Sequence, residues 1–179
     1  VRFVFPHAPM RPVTINGGFV MRAWYDIVSP DFAPGREEGE HVRESARQIE
    51  ALLARENARG IPDGRIVLAG FSQGGVIALH SGLRHSRRLA GILALSCYLP
   101  QADTLATEAQ AANSDVPIFM AHGRADPVIP YDLGKRSARL LQAQGYKLQW
   151  HGYATAHSVC LEELEDIGGW LNRVLADAF

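Results

Sequence analysis

The sequence predicts an α/β fold: a mostly parallel sheet with helices on both faces. Short apolar runs rich in β-branched residues alternate with longer stretches whose apolar residues recur at helical spacing. One of these runs passes directly into a serine flanked by glycines and then into a helical stretch. Because right-handed βαβ crossovers place helices on both faces of a parallel sheet, a functional site is expected beyond the carboxyl ends of the strands.

The elements are expected in the following order along the chain. Strands are predicted at residues 1–5, 66–69, 91–96, 116–121 and 147–153, where apolar, β-rich runs occur. Helices are predicted at residues 37–59, around 76–80, at 131–144 and at 160–177. The helix at 37–59 has the clearest pattern, with Gly60 and Pro62 at its end. Residues 100–115 are polar and alanine-rich, which predicts a loop or a short helix.

Residues 6–36 form a long connection that is dense in proline and glycine and has no clear helical period. A structureless connection of this length inside a compact domain is usually functional. Its apolar side chains either wall a substrate pocket or fold back on the core, and the sequence leaves both interpretations open. These side chains are Phe19, Val20, Met21, Trp24, Tyr25 and Ile27.

Composition predicts a single globular domain over residues 1–179, with 47% hydrophobic residues and a net charge of −1. The balanced charge argues against nucleic acid or an anionic membrane as partner, and no apolar run approaches the about 18 residues of a membrane span. Cys97 and Cys160 match no metal-ligand spacing, so we expect free thiols in a reducing compartment, the cytoplasm. A single disulfide between them is the alternative.

Gly70-Phe71-Ser72-Gln73-Gly74 fits a nucleophile elbow, a sharp turn between strand and helix that lifts a serine hydroxyl out of the sheet. We expect a β-carbon at either flanking glycine to collide with neighbouring backbone. We also expect Gly75 to let the helix start close to the strand. The alternative is a glycine-rich turn whose serine has no role.

A serine nucleophile needs a base within hydrogen-bonding reach and an acid that orients that base. In such sheets the chain order is serine, acid, histidine. Asp126 and His157 follow the strands at 116–121 and 147–153, so they are the predicted partners of Ser72. His151 is the competing base but falls within a strand pattern. Asp132 is the competing acid, and its place in the opening turn of a helix suits a capping or helix-dipole role.

These residues also carry a resemblance to a known family. The chain resembles the bacterial carboxylesterase and acyl-protein thioesterase family, small α/β-hydrolases of the phospholipase/carboxylesterase type, essentially from Val1 to the last helix. The segments that carry it are Phe5-Pro6-His7-Ala8-Pro9, Pro12-Val13-Thr14-Ile15-Asn16, Ala23-Trp24-Tyr25-Asp26-Ile27, Gly70-Phe71-Ser72-Gln73-Gly74-Gly75, His122-Gly123-Arg124-Ala125-Asp126-Pro127-Val128 and His157-Ser158-Val159.

The resemblance implies a role for each matching residue. Ser72, Asp126 and His157 would be nucleophile, orienting acid and base. The backbone N–H of Gln73 would be one oxyanion donor. The segment Trp24-Tyr25-Asp26 would border the site and bind substrate. A homodimer is implied as well.

The chain departs from the family pattern at its start. Family members carry, before the strand matching residues 1–5, further strands and a His-Gly-Leu-Gly-like loop that gives a second oxyanion donor. No such segment is seen here, and His122-Gly123 cannot replace it because that pair precedes the acid. We therefore expect a gap in the sheet between the strands at 1–5 and 65–70, missing N-terminal strands, and an incomplete or impaired catalytic unit.

The leading interpretation is a serine hydrolase that cleaves carboxylic esters or thioesters of short to medium acyl chains through an acyl-serine intermediate, without metal or cofactor. Its substrate would be a small or lipid-like ester, with an acylated protein as the alternative. A noncatalytic ligand-binding domain, or an inactive fragment, is the rival interpretation. Metal-assisted hydrolysis through His151 and His157 lacks carboxylate or thiolate partners at suitable spacing.

Overall fold

The structure is a computed structural model that describes residues 1–29 and 36–176, without the side chains of residues 36–38. The strands are β1 (Met10–Val13), β2 (Phe19–Arg22), β3 (Val67–Phe71), β4 (Gly91–Leu95), β5 (Ile118–Gly123) and β6 (Leu148–Tyr153). The helices are α1 (Arg36–Ala58), α2 (Gln73–Arg84), the single turn α3 (Leu105–Glu108), α4 (Tyr131–Ala143) and α5 (Leu161–Ala176). Short 3-10 turns occupy Thr14–Asn16, Asp63–Arg65 and Ala111–Asn113.

The central sheet has four parallel strands in the order β3-β4-β5-β6, which is also their order in the chain. The register pairs Phe71 with Leu95 and Gly123 with Tyr153, so the strands end together at one edge. Neighbouring parallel strands must be joined by crossover connections, which run back along a face of the sheet. The predicted α/β class with a parallel sheet is therefore confirmed.

The two faces of the sheet bury two separate apolar clusters, because successive strand residues point to opposite faces. Helices α1, α2 and α4 cover one face, and α5 covers the other. The first face is built on Ile92, Ala94, Ile118 and Met120, with Val42, Leu53, Leu79, Leu83 and Leu141 from the helices. The second is built on Leu93, Leu95, Phe119 and Ala121, with Ile167, Trp170 and Val174 from α5.

Residues 1–5 do not form the predicted strand. They have no regular secondary structure, and Val1 and Phe5 are 98% and 85% exposed. An apolar, β-rich pattern specifies a strand only when a partner strand is within reach. Residues 1–5 take no place in the sheet, and β3 pairs only with β4 within the described residues, so the strand expected to be missing beside β3 stays a prediction.

The long connection after residue 5 contains a hairpin that the sequence did not predict. Strands β1 and β2 pair antiparallel, and Gly17 and Gly18 turn the chain with φ of 66° and 77°. Both φ values lie in the left-handed region that favours glycine. Residues 30–35 of this connection lie outside the described residues.

The other predicted elements agree with the structure to within a few residues. Helix α1 ends as expected, with Gly60 at φ 88° after its last turn. The 100–115 region holds the short α3 and a 3-10 turn. Within the described part of the chain, no helix combines the length and apolar character needed to cross a membrane.

Candidate active site

Ser72 lies on a strained turn between β3 and α2. Its φ and ψ are 54° and −123°, a conformation that non-glycine residues rarely adopt. The Ser72 N–H donates to the Leu95 carbonyl at 2.8 Å, which ties the turn to the end of β4. Such strain persists only where the surroundings hold it, and it presents the hydroxyl at the carboxyl edge of the sheet.

Two of the three glycines around Ser72 have the steric role predicted for them, and Gly74 does not. A β-carbon on Gly70 would lie 2.1 Å from the carbonyl group of Gly74, so the backbone approach requires glycine there. A β-carbon on Gly74 would meet nothing within 4 Å, and the predicted collision at this position is wrong. At Gly75 a β-carbon would approach the Cys97 sulfur at 2.8 Å, which agrees with close packing of the helix start.

His157 lies in the loop after β6 and reaches both other predicted residues. Its Nε2 is 3.0 Å from Ser72 Oγ, and its Nδ1 is 2.7 Å from Asp126 Oδ2. The loop rests on the end of β5, because a β-carbon on Gly123 would lie 2.0 Å from the Ala156 carbonyl oxygen. The structure thus brings together three residues that are far apart in sequence, and it leaves His157 17% exposed.

The Asp126 carboxylate is buried and accepts hydrogen bonds at both oxygens. The backbone N–H groups of Val128 and Ile129 donate to Oδ1 at 2.8 and 2.9 Å, while His157 Nδ1 faces Oδ2. Burial opposes ionisation of this group, but the hydrogen bonds from His157 and the two backbone N–H groups outweigh it. They hold the pKa of Asp126 below its ordinary value. The carboxylate is therefore charged at neutral pH and can stabilise an imidazolium.

The competing residues lie elsewhere. His151 sits within β6, stacked on Phe119 with ring centroids 4.5 Å apart, and its Nδ1 is 3.9 Å from Asp166 Oδ2. Asp132 lies in the first turn of α4 and is exposed, which suits the helix-dipole role; the N-cap residue of this helix is Pro130, so Asp132 does not cap it. Among the hydrogen bonds and ion pairs of the described residues, neither side chain reaches Ser72.

Gln73 is the first residue of α2, where a backbone N–H has no acceptor within the helix. Its side chain links the turn to the preceding segment. The amide oxygen accepts the Trp24 N–H at 2.9 Å, and the amide nitrogen donates to the Tyr25 carbonyl at 3.0 Å. The sequence predicted a role only for the Gln73 backbone. The second oxyanion donor, expected in an upstream segment, stays a prediction.

The Trp24-Tyr25-Asp26 segment borders the nucleophile turn through its backbone. Two of its side chains point into the protein: Tyr25 is 1% exposed in the core, and the Asp26 carboxylate accepts bonds from the Thr14 N–H at 2.7 Å and the Thr14 hydroxyl at 2.6 Å. A substrate contact by these two side chains does not fit their placement. Trp24 is partly buried against the core.

The apolar side chains of the 6–36 connection divide between the two interpretations left open by the sequence. Trp24, Tyr25 and Ile27 pack on the core. Phe19, Val20 and Met21 project from the hairpin into solvent.

Comparison with known proteins identifies the family. The family model described as phospholipase/carboxylesterase matches residues 1–175. The chain belongs to this family. Its members are esterase-type hydrolases, so the protein is an ester-cleaving or thioester-cleaving hydrolase with the α/β-hydrolase fold.

Curated proteins similar to this chain include two from fungi. An acyl-protein thioesterase 1 from Yarrowia lipolytica is 38% identical over 97% of this chain and 78% of its own length. One from Neurospora crassa is 43% identical over 98% of this chain and 74% of its own. Among solved structures, Arabidopsis thaliana SOBER1 has a TM-score of 0.89 at 29% identity, covering 96% of this chain and 83% of that one. Zea mays acyl-protein thioesterase 2 has 0.81 at 31%, covering 95% and 80%.

One residue beside the triad was missed by sequence reasoning. His122, at the end of β5, has its Nε2 3.3 Å from Asp126 Oδ2 and 2.9 Å from the Ile129 carbonyl oxygen. Its spacing of four residues from Asp126 was the available signal. Within residues 1–29 and 36–176, no three His, Cys, Asp or Glu side chains form a group that could hold a metal ion.

Proposed function

We propose that the protein hydrolyses carboxylic esters and thioesters through an acyl-Ser72 intermediate. The observation that carries the proposal is the chain of contacts from Ser72 Oγ to His157 Nε2, at 3.0 Å, and from His157 Nδ1 to Asp126 Oδ2, at 2.7 Å. This is the geometry in which a histidine accepts a serine proton while a carboxylate orients it.

In the proposed reaction, Ser72 Oγ attacks the carbonyl carbon and its proton passes to His157 Nε2. The resulting oxyanion is stabilised by the Gln73 backbone N–H at the start of α2, where the helix dipole also favours negative charge. The intermediate collapses, the alcohol or thiol leaves with the proton from Nε2, and Ser72 keeps the acyl group. Water, deprotonated by His157, then attacks the acyl-enzyme and releases the acid.

The substrate class is proposed from the relatives. Because the two fungal relatives and the maize protein are acyl-protein thioesterases, we propose a lipid-like ester or an acylated protein as substrate, with the short to medium acyl chains expected from the sequence. In this proposal Trp24 borders the site. Tyr25 and Asp26 hold the segment in place through their buried side chains and do not contact substrate. Homodimer formation and a cytoplasmic location, both expected from the sequence, stay predictions.

Active-site labelling tests the serine directly. A fluorophosphonate should label the wild type at Ser72 and leave Ser72→Ala unlabelled, and kcat/KM on a p-nitrophenyl ester series should fall more than about 10,000-fold in that variant. Matched thioesters in the same series give the acyl-chain and leaving-group preference. A folded wild type that is neither labelled nor active would favour a ligand-binding domain instead.

Paired histidine variants test the base. His157→Gln should lower kcat more than about 1,000-fold, and His151→Gln should stay within about twofold of the wild type. Activity should rise as pH is raised from acid, since only a neutral imidazole accepts the serine proton. The reverse pattern in the two variants would reassign the base to His151.

A further inference from the structure

His122 lies directly beneath the proposed acid and is fully buried. Its side chain is 0% exposed and packs against the rings of Tyr131 and Trp150 at centroid distances of 5.9 and 6.2 Å. A polar ring in such a place is costly to bury unless its polar atoms are used. In His122, the polar atom Nε2 lies near the Asp126 carboxylate.

The protonation state of His122 follows from its neighbours. A carbonyl oxygen only accepts hydrogen bonds, so Nε2 must carry a proton to bond the Ile129 carbonyl at 2.9 Å. Nδ1 is buried and has no hydrogen-bond partner among the described residues. Burial lowers the pKa of His122 and outweighs the opposing effects of the Ile129 carbonyl and of Asp126. The ring is thus neutral, with its proton on Nε2.

The ring nitrogen that bonds the Ile129 carbonyl also lies close to the acid. Nε2 lies 3.3 Å from Asp126 Oδ2, the same oxygen that faces His157 Nδ1 at 2.7 Å. The Ile129 residue bonded by His122 also donates its own N–H to Asp126 Oδ1 at 2.9 Å. His122 therefore acts on the acid in two ways: it lies within electrostatic contact of one carboxylate oxygen, and it bonds the backbone residue that holds the other.

We propose that His122 is a positioning residue of the proposed hydrolase, holding Oδ2 of Asp126 toward His157 through a neutral Nε2–H. The inference rests on the proposed function, since it gives His122 a role only if Asp126 serves His157. A neutral donor suits this task because it orients the carboxylate and leaves its negative charge available to the imidazolium. A lysine or arginine there would cancel that charge.

Helix α4 leaves room for the His122 ring because the residue facing it, Gly134, has no side chain. A β-carbon on Gly134 would lie 2.4 Å from His122 Nδ1 and 3.0 Å from the Cys97 carbonyl oxygen. The other titratable groups near the ring are Asp126, His157 and Tyr131, with the Lys135 ammonium 5.8 Å from the centre of the Tyr131 ring. The negative charge facing Nε2 is therefore that of Asp126.

Two substitutions of His122 differ in the one atom that matters. The amide nitrogen of Gln reaches approximately the place of Nε2, whereas that of Asn ends near Nδ1. In His122→Asn we expect kcat to fall about 10-fold with KM within about twofold, the usual scale for losing the partner that orients a site residue. The acid limb of kcat/KM should move to lower pH, because a loosened Asp126 stabilises the imidazolium less. His122→Gln should restore most of both.

Rates are expressed per Ser72 labelled by fluorophosphonate at completion, so loss of folded protein does not lower them. His151→Gln is the matched control for removal of a histidine from this sheet. A His122→Asn variant with wild-type kcat and an unmoved acid limb would overturn the positioning role. A shift of the acid limb to higher pH would also overturn it, showing that His122 only competes with His157 for Oδ2.

Ser72→Ala, assayed in parallel, separates the two proposals. Turnover by that variant would remove the proposed function and the role of His122 together. An inactive Ser72→Ala beside a fully active His122→Asn would overturn the positioning role alone.

Discussion

Strands β3 and β5 carry the two ends of the proposed triad in opposite surroundings. All six residues of β5 are buried, and the strand pairs with a neighbour on each side. In β3 every residue is partly or fully exposed, and the strand pairs only with β4 within the described residues. Both strands nevertheless present a side chain at a defined place, so the sheet uses different means to fix the nucleophile and the acid.

The nucleophile is fixed locally, and the acid is fixed by its environment. Ser72 depends on the turn itself, with its positive φ and the contact of Gly70 with Gly74. Asp126 depends on hydrogen bonds from its own loop and from His157, and on the close approach of His122 Nε2. Damage to the turn should therefore break the fold near β3, whereas damage around β5 should alter the chemistry first.

The largest effect is expected at Gly70. A β-carbon there would meet the Gly74 backbone at 2.1 Å, and that backbone cannot retreat without opening the turn. Gly70→Ala should lose more than about 4 kcal/mol of unfolding free energy, measured by urea denaturation. Gly74→Ala, at a site with nothing within 4 Å, is the matched control and should unfold like the wild type. Equal stability of the two variants would contradict a locally fixed nucleophile.

An intermediate effect is expected at Gly123, where β5 meets the loop that carries His157. A β-carbon would lie 2.0 Å from the Ala156 carbonyl oxygen, and the buried strand holds its place more firmly than the loop does. We expect Gly123→Ala to displace the loop and lower kcat/KM about 100-fold. Circular dichroism should show a cooperative fold, as for the helical control Gly168→Ala. Wild-type turnover would show that the loop absorbs the added methyl group without moving His157.

The smallest effect concerns Glu163, a buried acid in the first turn of α5. It is 1% exposed, and neither carboxylate oxygen has a hydrogen bond of normal geometry within the described residues. Burial raises its pKa to about 6, and the Cys160 N–H that faces it offsets this only in part. The folded state therefore binds a proton more tightly than the unfolded state does.

This linkage has a definite sign. The Glu163 carboxyl has a pKa of about 4.3 in the unfolded chain. Below that pH its proton adds on the order of 2 kcal/mol to the free energy of unfolding, and this contribution is lost as pH rises through the folded pKa. Glu163→Gln should abolish this loss and be more stable than the wild type at pH about 7. Glu162→Gln, on the exposed neighbour, should not change it. Urea unfolding at both ends of the pH range measures the difference, and parallel pH curves for wild type and Glu163→Gln would contradict it.

Much of the fold could be predicted from local pattern. The helices and buried strands after residue 36 were predicted because apolar spacing, terminal glycines and strand length all agree there. The strand predicted at residues 1–5 is wrong because an apolar pattern carries no information about whether a partner strand is within reach. The β1–β2 hairpin was missed because its strands have only four residues each.

The site could be predicted where position in the chain implies position in space. Ser72, Asp126 and His157 each follow a strand of one parallel sheet, which places them at one edge. Their catalytic roles stay predictions. The contacts of His122 and of the Gln73 side chain depend on tertiary packing, which single-sequence patterns do not specify.

The Gln73 side chain offers one donor and one acceptor to the Trp24–Tyr25 backbone, as the peptide group of an adjacent strand would. The Trp24 amide proton is thereby shielded by a residue of the nucleophile turn, 49 positions away in the chain. Its exchange with deuterium should report each opening of that turn, even though Trp24 belongs to a different part of the sequence.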